Sequence, residues 1–330
     1  MLEWADDLKL RGTELYLDSR RPRPRCFVSH AHGDHLGEHE QLIATPATRA
    51  LAAHRVDVRQ FVELNYDAEF HFCPSTRVRL LPAGHVHGSA MIHVTRPEGT
   101  LLYTGDFKLR DCLTVERARA CEADVLVMES TFGLPLFRFP PWRGVADQLL
   151  EIVTRALRDG RQPIVMGYSL GKSQEITRIL TDARIPVTAH GAVFEMNRIH
   201  NELGVALGTY RRYNAVDFHG GKALPLEQRG VLVAPPHVAR SGFVTRFDNP
   251  CRIILTGWAM LKNAKYRYGA DHALPLSDHA DFDELLELVE RVSPKKIYSH
   301  HGYKEFADIL RSRGHDAELA RPDEQMRLFE

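Results

Sequence analysis

Residues 30–35 read His30-Ala31-His32-Gly33-Asp34-His35, four metal-binding side chains in six positions, directly after the apolar run Cys26-Phe27-Val28. A short apolar run of this kind reads as a buried strand. In extended chain, residues two apart point to the same side, so His30 and His32 converge on one ion. Gly33 lets the chain turn, and Asp34 with His35 then face a second position. Imidazole and carboxylate donors without a thiolate suit Zn²⁺, Mn²⁺ or Fe. Two histidines alone would read as a surface turn. H-x-H-x-D-H behind a strand reads as a metal site.

The chain around this hexapeptide is rich in strands. Leu8, Leu10, Leu15 and Leu17 alternate about Gly12-Thr13, which predicts an opening hairpin. Arg20-Arg21-Pro22-Arg23-Pro24-Arg25 follows, a basic loop that is either a solvated turn or a phosphate contact. Strands are predicted at 42–44, 61–64, 69–72, 76–82, 90–95, 100–104 and 125–128. A helix over 46–54 starts from Thr45-Pro46 as cap and first turn. Polar residues recur at the strand ends: Gly84-His85-Val86-His87, Thr104-Gly105-Asp106 and Glu129-Ser130-Thr131. Loops on one edge of an α/β layered architecture build sites in this way.

From residue 136 the pattern changes to β-α repetition. Helices are expected at 144–159, 172–182 and 192–203, and strands at 163–167, 185–188, 230–234 and 251–256. This suggests an inserted domain with a parallel sheet. Gly167-Tyr168-Ser169-Leu170-Gly171-Lys172-Ser173 resembles a phosphate-binding loop but has three residues between its glycines where the pattern needs four. ATP chemistry is set aside; Lys172 at a helix N-terminus can still meet a nucleic-acid phosphate. Site-like residues return at Leu276-Ser277-Asp278-His279-Ala280-Asp281. Asp281 and Glu284 form a capping box for a helix carrying Phe282, Leu285, Leu288, Val289 and Val292 on one face. A strand at 296–298 leads into Ser299-His300-His301-Gly302.

The 330 residues allow one large or two medium domains. Lys plus Arg equals Asp plus Glu at 43 each, so any nucleic-acid contact is a local patch. The five cysteines are scattered, without a C-x-x-C pair, as in a chain with reduced thiols. The first residues lack the apolar core of a secretory leader, and no apolar run spans a membrane, so the expected location is the cytoplasm.

In order, the strand-end motifs resemble the metallo-β-lactamase-fold β-CASP nucleases: H-x-H-x-D-H, Gly84-His85, Thr104-Gly105-Asp106, Glu129-Ser130-Thr131-Phe132-Gly133 (motif A), Ser277-Asp278-His279-Ala280-Asp281 (motif B) and His301-Gly302 (motif C). Within that group, Tyr168-Ser-Leu-Gly-Lys172-Ser-Gln174, Ala234-Pro235-Pro236 and Gly257-Trp258 are most similar to bacterial DNA-ligase-associated exonucleases. The resemblance covers nearly the whole chain. It implies an α/β fold, a metallo-β-lactamase αββα sandwich of residues 1–135 and 271–330, with an inserted α/β β-CASP cap domain over 136–270. It also implies two divalent ions, Zn or Mn, with His30, His32 and His85 on the first and Asp34, His35 and His301 on the second. Asp106 bridges them, and His279, paired with Glu129, is the general acid. His87 competes with His85, and His300 with His301; the residue adjoining the motif glycine is favoured in each case.

Two ions roughly 3.5–4 Å apart can clamp a phosphodiester and activate water, Asp34 can orient that water, and a histidine can protonate the leaving oxygen. The expected function is therefore a two-metal nuclease acting on single-stranded DNA, as an exonuclease in DNA repair with a functional link to a DNA ligase. RNA is the second substrate, because a histidine at motif C characterises the RNA-processing branch. Small-molecule hydrolysis and a metal-free binding subunit rank below. Ser277, Lys172, Lys262, Lys265 and Arg267 are expected to contact substrate, the last three beside Tyr266 and Tyr268. No membrane partner is expected.

Overall fold

The computed structural model describes residues 1–320 apart from Lys222 and Asp248. The chain divides into two compact units, Met1–Arg138 together with the chain from His279 onward, and Phe139–Asp278.

The first unit contains two sheets. One has the order Leu2–Ala5, Asp7–Leu10, Leu15–Leu17, Arg25–Phe27, Gln41–Ala44, Gln60–Glu63. The other runs Ala317–Leu319, Lys296–Gly302, Val125–Ser130, Gly99–Tyr103, Ala90–Arg96, Thr76–Pro82, Glu69–Cys73. Alternation along the strands sends one face of each sheet into a shared core, where Leu8, Leu15, Leu17, Phe27 and Ile43 meet Leu80, Ile92, Leu101 and Val127. The opposite face of the second sheet presents Met91, Leu102, Leu126, Met128 and Ile297 to the helix Phe282–Val292 and to Phe306 and Leu310 of the helix Glu305–Ser312. Helices outside two packed sheets give the expected αββα sandwich. The capping box forms: Asp281 accepts from the N–H groups of Asp283 and Glu284, and Glu284 accepts from the Asp281 N–H.

The second unit is a parallel sheet in the order Tyr210–Arg212, Val187–Ala189, Val231–Ala234, Gln162–Met166, Pro250–Leu255, His272–Leu274. Its four inner strands are apolar, as strands covered on both faces must be. Amphipathic helices accompany them, including Trp142–Arg158, which buries Val145, Leu149 and Val153.

The domain boundaries differ from the sequence expectation at both joints. Residues 271–278 fold with the second unit, because His272–Leu274 extends its sheet by pairing with Pro250–Leu255. Residues 136–138 fold with the first, where Phe137 is buried against Phe132 and its carbonyl accepts the Phe282 N–H. The strand expected at 296–298 continues to Gly302.

Candidate metal centre

The hexapeptide begins where the chain leaves the strand Arg25–Phe27, and other strand ends converge on it. Donor atoms form three groups that all contain Asp106: His30, His32 and His85; His35 and His301; Glu129 and His279. Oδ2 of Asp106 lies 3.5 Å from Nε2 of His30, 3.4 Å from Nε2 of His35, 3.7 Å from Nε2 of His85 and 3.9 Å from Nδ1 of His279. Close backbone approach makes this possible. Gly105 has φ +53°, and a Cβ there would overlap Ser29. Gly84 has φ +77°, and a Cβ there would overlap the Lys108 carbonyl. Only glycine fits either position.

His301 reaches the cluster through a β-bulge. Glu129 pairs with His300 and Ser130 with Gly302, so His301 is the extra residue, at φ +46°. A bulge re-aims a side chain at a strand end. It separates the two competing histidines: His301 joins the Asp106 group, while His300 stacks on its ring 3.7 Å away. His87 is likewise turned aside; its Nδ1 lies 2.9 Å from Glu116, which also accepts the Gly88 N–H.

Asp18 is the residue that sequence reasoning missed. It follows the strand Leu15–Leu17, and its carboxylate accepts from the Ser29 N–H (2.7 Å), the Ser29 hydroxyl (2.6 Å), Nδ1 of His35 (2.9 Å) and the Tyr103 hydroxyl (2.8 Å). These bonds orient two rings. His35 directs its Nδ1 proton to Asp18, which turns Nε2 toward Asp106. The Ser29 hydroxyl donates to Asp18, so it accepts from Nδ1 of His30 at 2.9 Å, and His30 also presents Nε2. Such outer carboxylates orient metal ligands. An acid at a strand end, the signal that marked Asp106, could have marked Asp18.

The donor set fits cations. Nε2 of His30 lies 3.1 Å, and Nε2 of His85 3.0 Å, from Nδ1 of His32, so three ring nitrogens converge at lone-pair distance. Nε2 of His35 is buried without an aligned hydrogen-bond partner. Burial, then the neighbouring His35 and His85, hold the His30 pKa well below that of an ordinary imidazole, leaving it neutral. Burial and then His300 do the same to His301. Burial opposes charge on His35 too, but the Asp106 and Asp18 carboxylates overcome it and raise its pKa well above the usual value. Asp106 is desolvated by burial, yet His35 and His279 hold it well below the carboxylate range. His30 and His301 are thus neutral beside an ionised carboxylate, as divalent ions require, whereas His35 gives up a proton when it binds one. Asp34 stays outside the three groups: its side chain is 66% exposed, and its carboxylate lies 3.9 Å from Nε2 of His35.

Nδ1 of His279 meets both Glu129 oxygens, at 3.0 and 2.9 Å. Glu129 is itself held by the Phe107 N–H at 2.8 Å and the Thr131 hydroxyl at 2.5 Å.

The expected substrate contacts lie on the second unit. Lys172 is not available to a phosphate there: its side chain is 3% exposed and its ammonium pairs with Asp278 at 2.9 Å. The helix N-terminus is also spent, because the Gly171 N–H donates to Gln174. Ser277 is buried. Lys262 and Lys265 are exposed, Arg267 is half-buried over the Tyr268 ring, and Tyr266 is 87% exposed. Of the two rings expected to stack on substrate, Tyr266 is open, whereas Tyr268 packs on the core beneath Arg267.

Residues 271–320 match the family described as Zn-dependent metallo-hydrolase RNA specificity domain. The chain is 37% identical to a probable DNA ligase of Opitutus terrae over 99% of its own length, and spans 32% of that longer protein. It is 30% identical to an RNase J-like protein of Methanocaldococcus jannaschii, covering 84% of this chain and 80% of that one. A protein of unknown function from Enterococcus faecalis superposes with a TM-score of 0.59 at 15% identity, over 90% of this chain and 79% of that one, which supports the fold. No helix among the described residues is long and apolar enough to cross a membrane.

Proposed function

Because this chain belongs to the metallo-β-lactamase-fold β-CASP nuclease family, we propose that it is a two-metal phosphodiesterase that digests single-stranded DNA from an end, in DNA repair beside a DNA ligase. The observation that carries the reading is the shared carboxylate: Asp106 belongs to two separate histidine groups and to the His279–Glu129 pair. His30, His32, His85 and Asp106 would hold one Zn²⁺ or Mn²⁺, and His35, His301, Asp106 and Asp34 the other. Two such ions would supply positive charge to a phosphoryl oxygen and acidify a water molecule.

The chain's own groups do the rest. Asp34, exposed beside His35, orients the attacking water. Asp18 holds the rings of His35 and, through Ser29, His30 so that each turns Nε2 toward the cations. Glu129 fixes Nδ1 of His279, so Nε2 is the nitrogen that delivers a proton to the leaving oxygen. Thr131 and the Phe107 N–H keep Glu129 in place. Lys262, Lys265 and Arg267 on the second unit, described with Tyr266, guide the strand by charge and stacking.

DNA as substrate is supported by similarity, over 99% of this chain, to 32% of a longer protein named as a probable DNA ligase. RNA is the second reading, favoured by His301 at motif C and by similarity to an RNase J-like protein. Single strands of DNA and RNA, labelled at the 5′ or the 3′ end and incubated with the protein and Mn²⁺ or Zn²⁺, test both. Shortening of DNA from one end supports the first reading, shortening of RNA alone supports the second, and cleavage of neither refutes the nuclease.

A further inference from the structure

The metal-binding unit carries a cleft of about 300 Å³ that the proposed function leaves unused. Its walls include Asp34 and His301, so it opens onto the second donor group. Part of the lining is aromatic. His300 stacks on His301 at 3.7 Å, and Trp4, from the opening strand, lies 6.2 Å from His300 at a 48° tilt. Arg20 and Arg21 add two cations to the lining.

The basic loop ahead of the hexapeptide is divided by the fold. Arg23 pairs with Asp7 and packs over Tyr16, and Arg25 lies over Phe72. Arg20 is exposed, and its guanidinium has no ion pair or hydrogen bond among the described residues. Arg21 meets only Asp6, at 3.6 Å with both side chains more than 60% exposed, a pair too solvated to hold it. The backbone that presents them is anchored: the Ser19 hydroxyl donates to Asp7 at 2.7 Å and receives the Arg21 N–H at 3.2 Å. Of the acids on the walls, Asp7 is neutralised by Arg23, Asp18 is occupied by its four donors, and Asp34 stands 3.9 Å from His35 beside the second donor group. Two uncommitted guanidiniums, an aromatic wall and an adjoining metal centre match one unstacked nucleotide with its own phosphate.

We propose that this cleft is a nucleotide subsite, in which Arg20 and Arg21 grip the phosphate next to the scissile one while the base stacks against the aromatic wall at Trp4. The inference rests on the nuclease reading. A base reaches Trp4 only when it has left its own stack, so the cleft selects single strands and splayed ends.

Arg20→Ala/Arg21→Ala is compared with wild type on an oligothymidylate strand and on bis(p-nitrophenyl) phosphate, a phosphodiester with no neighbouring phosphate. Melting temperature monitors folding. The expected result is a fall of roughly tenfold in the strand-to-small-ester ratio of kcat/KM, carried by KM, and a salt slope shallower by about 0.7, the value for one phosphate on a single strand. An unchanged ratio and slope overturn the subsite while the phosphodiesterase stands. A wild-type protein that hydrolyses neither substrate overturns that parent reading and the subsite with it. Trp4→Phe and Trp4→Leu separate the ring from its bulk. One abasic position moved along the strand should weaken wild type and Trp4→Phe about tenfold at a single register, and Trp4→Leu at none. No register dependence in wild type overturns the stacking.

Discussion

Replacing Asp18 by Asn tests whether one carboxylate sets the protonation of two ligand histidines. The side chain is 2% exposed and takes four donors, one on Oδ1 and three on Oδ2. An amide offers one accepting oxygen. Its best orientation keeps that oxygen at the Oδ2 position and turns the NH₂ toward the Ser29 N–H, leaving a buried backbone donor unpaired at about 1–3 kcal/mol. The remaining bonds lose their charge assistance, which roughly halves them. A stability loss of about 3 kcal/mol follows from these two effects. The His35 group loses its direct partner, so its metal affinity should fall about 10- to 100-fold. The His30 group is reached only through Ser29 and should lose less. Chelator competition on the metal-loaded protein, followed by elemental analysis, gives both affinities, and urea unfolding gives the stability. Equal losses at the two groups, or none, would refute the assignment of Asp18 to His35.

His279→Ala should lower strand cleavage by about 10²- to 10⁴-fold with metal content unchanged; loss of both metals would show that the residue holds the centre rather than the leaving group's proton. Gly302→Ala would place a Cβ into the Ser130 backbone at the bulge, and a destabilisation of about 3 kcal/mol or more is expected in thermal unfolding. Asp124 is held down to a pKa of about 2 by hydrogen bonds from Lys295 and Thr100. A depressed carboxylate stabilises the fold above its unfolded value of about 3.9 and loses that contribution as pH falls toward 2. Asp124→Asn should therefore be less stable than wild type at pH 7 and converge with it near pH 2, and a gap that persists in acid would contradict the ion pair.

Much of the site was legible because strand geometry is local. His30 and His32 do converge as expected, although the strand ends at Phe27 and the chain bends before them, and glycine beside His85 and Asp106 marks turns that no other residue fits. Three short edge strands were not legible. The strands Tyr210–Arg212, His272–Leu274 and Ala317–Leu319 are three residues each, defined by the neighbours they pair with. Omission of His272–Leu274 moved one domain boundary from 278 to 270.

Lys172 shows the opposite failure. A lysine behind a glycine at a helix start looks built for phosphate, but burial beside Asp278 commits its charge to the protein itself. No sequence window contains both partners, which are more than a hundred residues apart.

What the sequence determined by itself was chemistry and order: which strand ends carry nitrogen and carboxylate donors, and that they recur along an αββα pattern with a parallel-sheet insert. Only the tertiary structure decided partnership. It chose His301 over His300 through a one-residue bulge, sent His87 to Glu116, buried Lys172 and revealed Asp18 behind two ligands. It also left Arg20 and Arg21 open while Arg23, in the same loop, was paired. The reason is physical. Periodicity states which way a side chain points from its own strand, whereas protonation, pairing and access depend on what the other strands bring to within hydrogen-bonding distance.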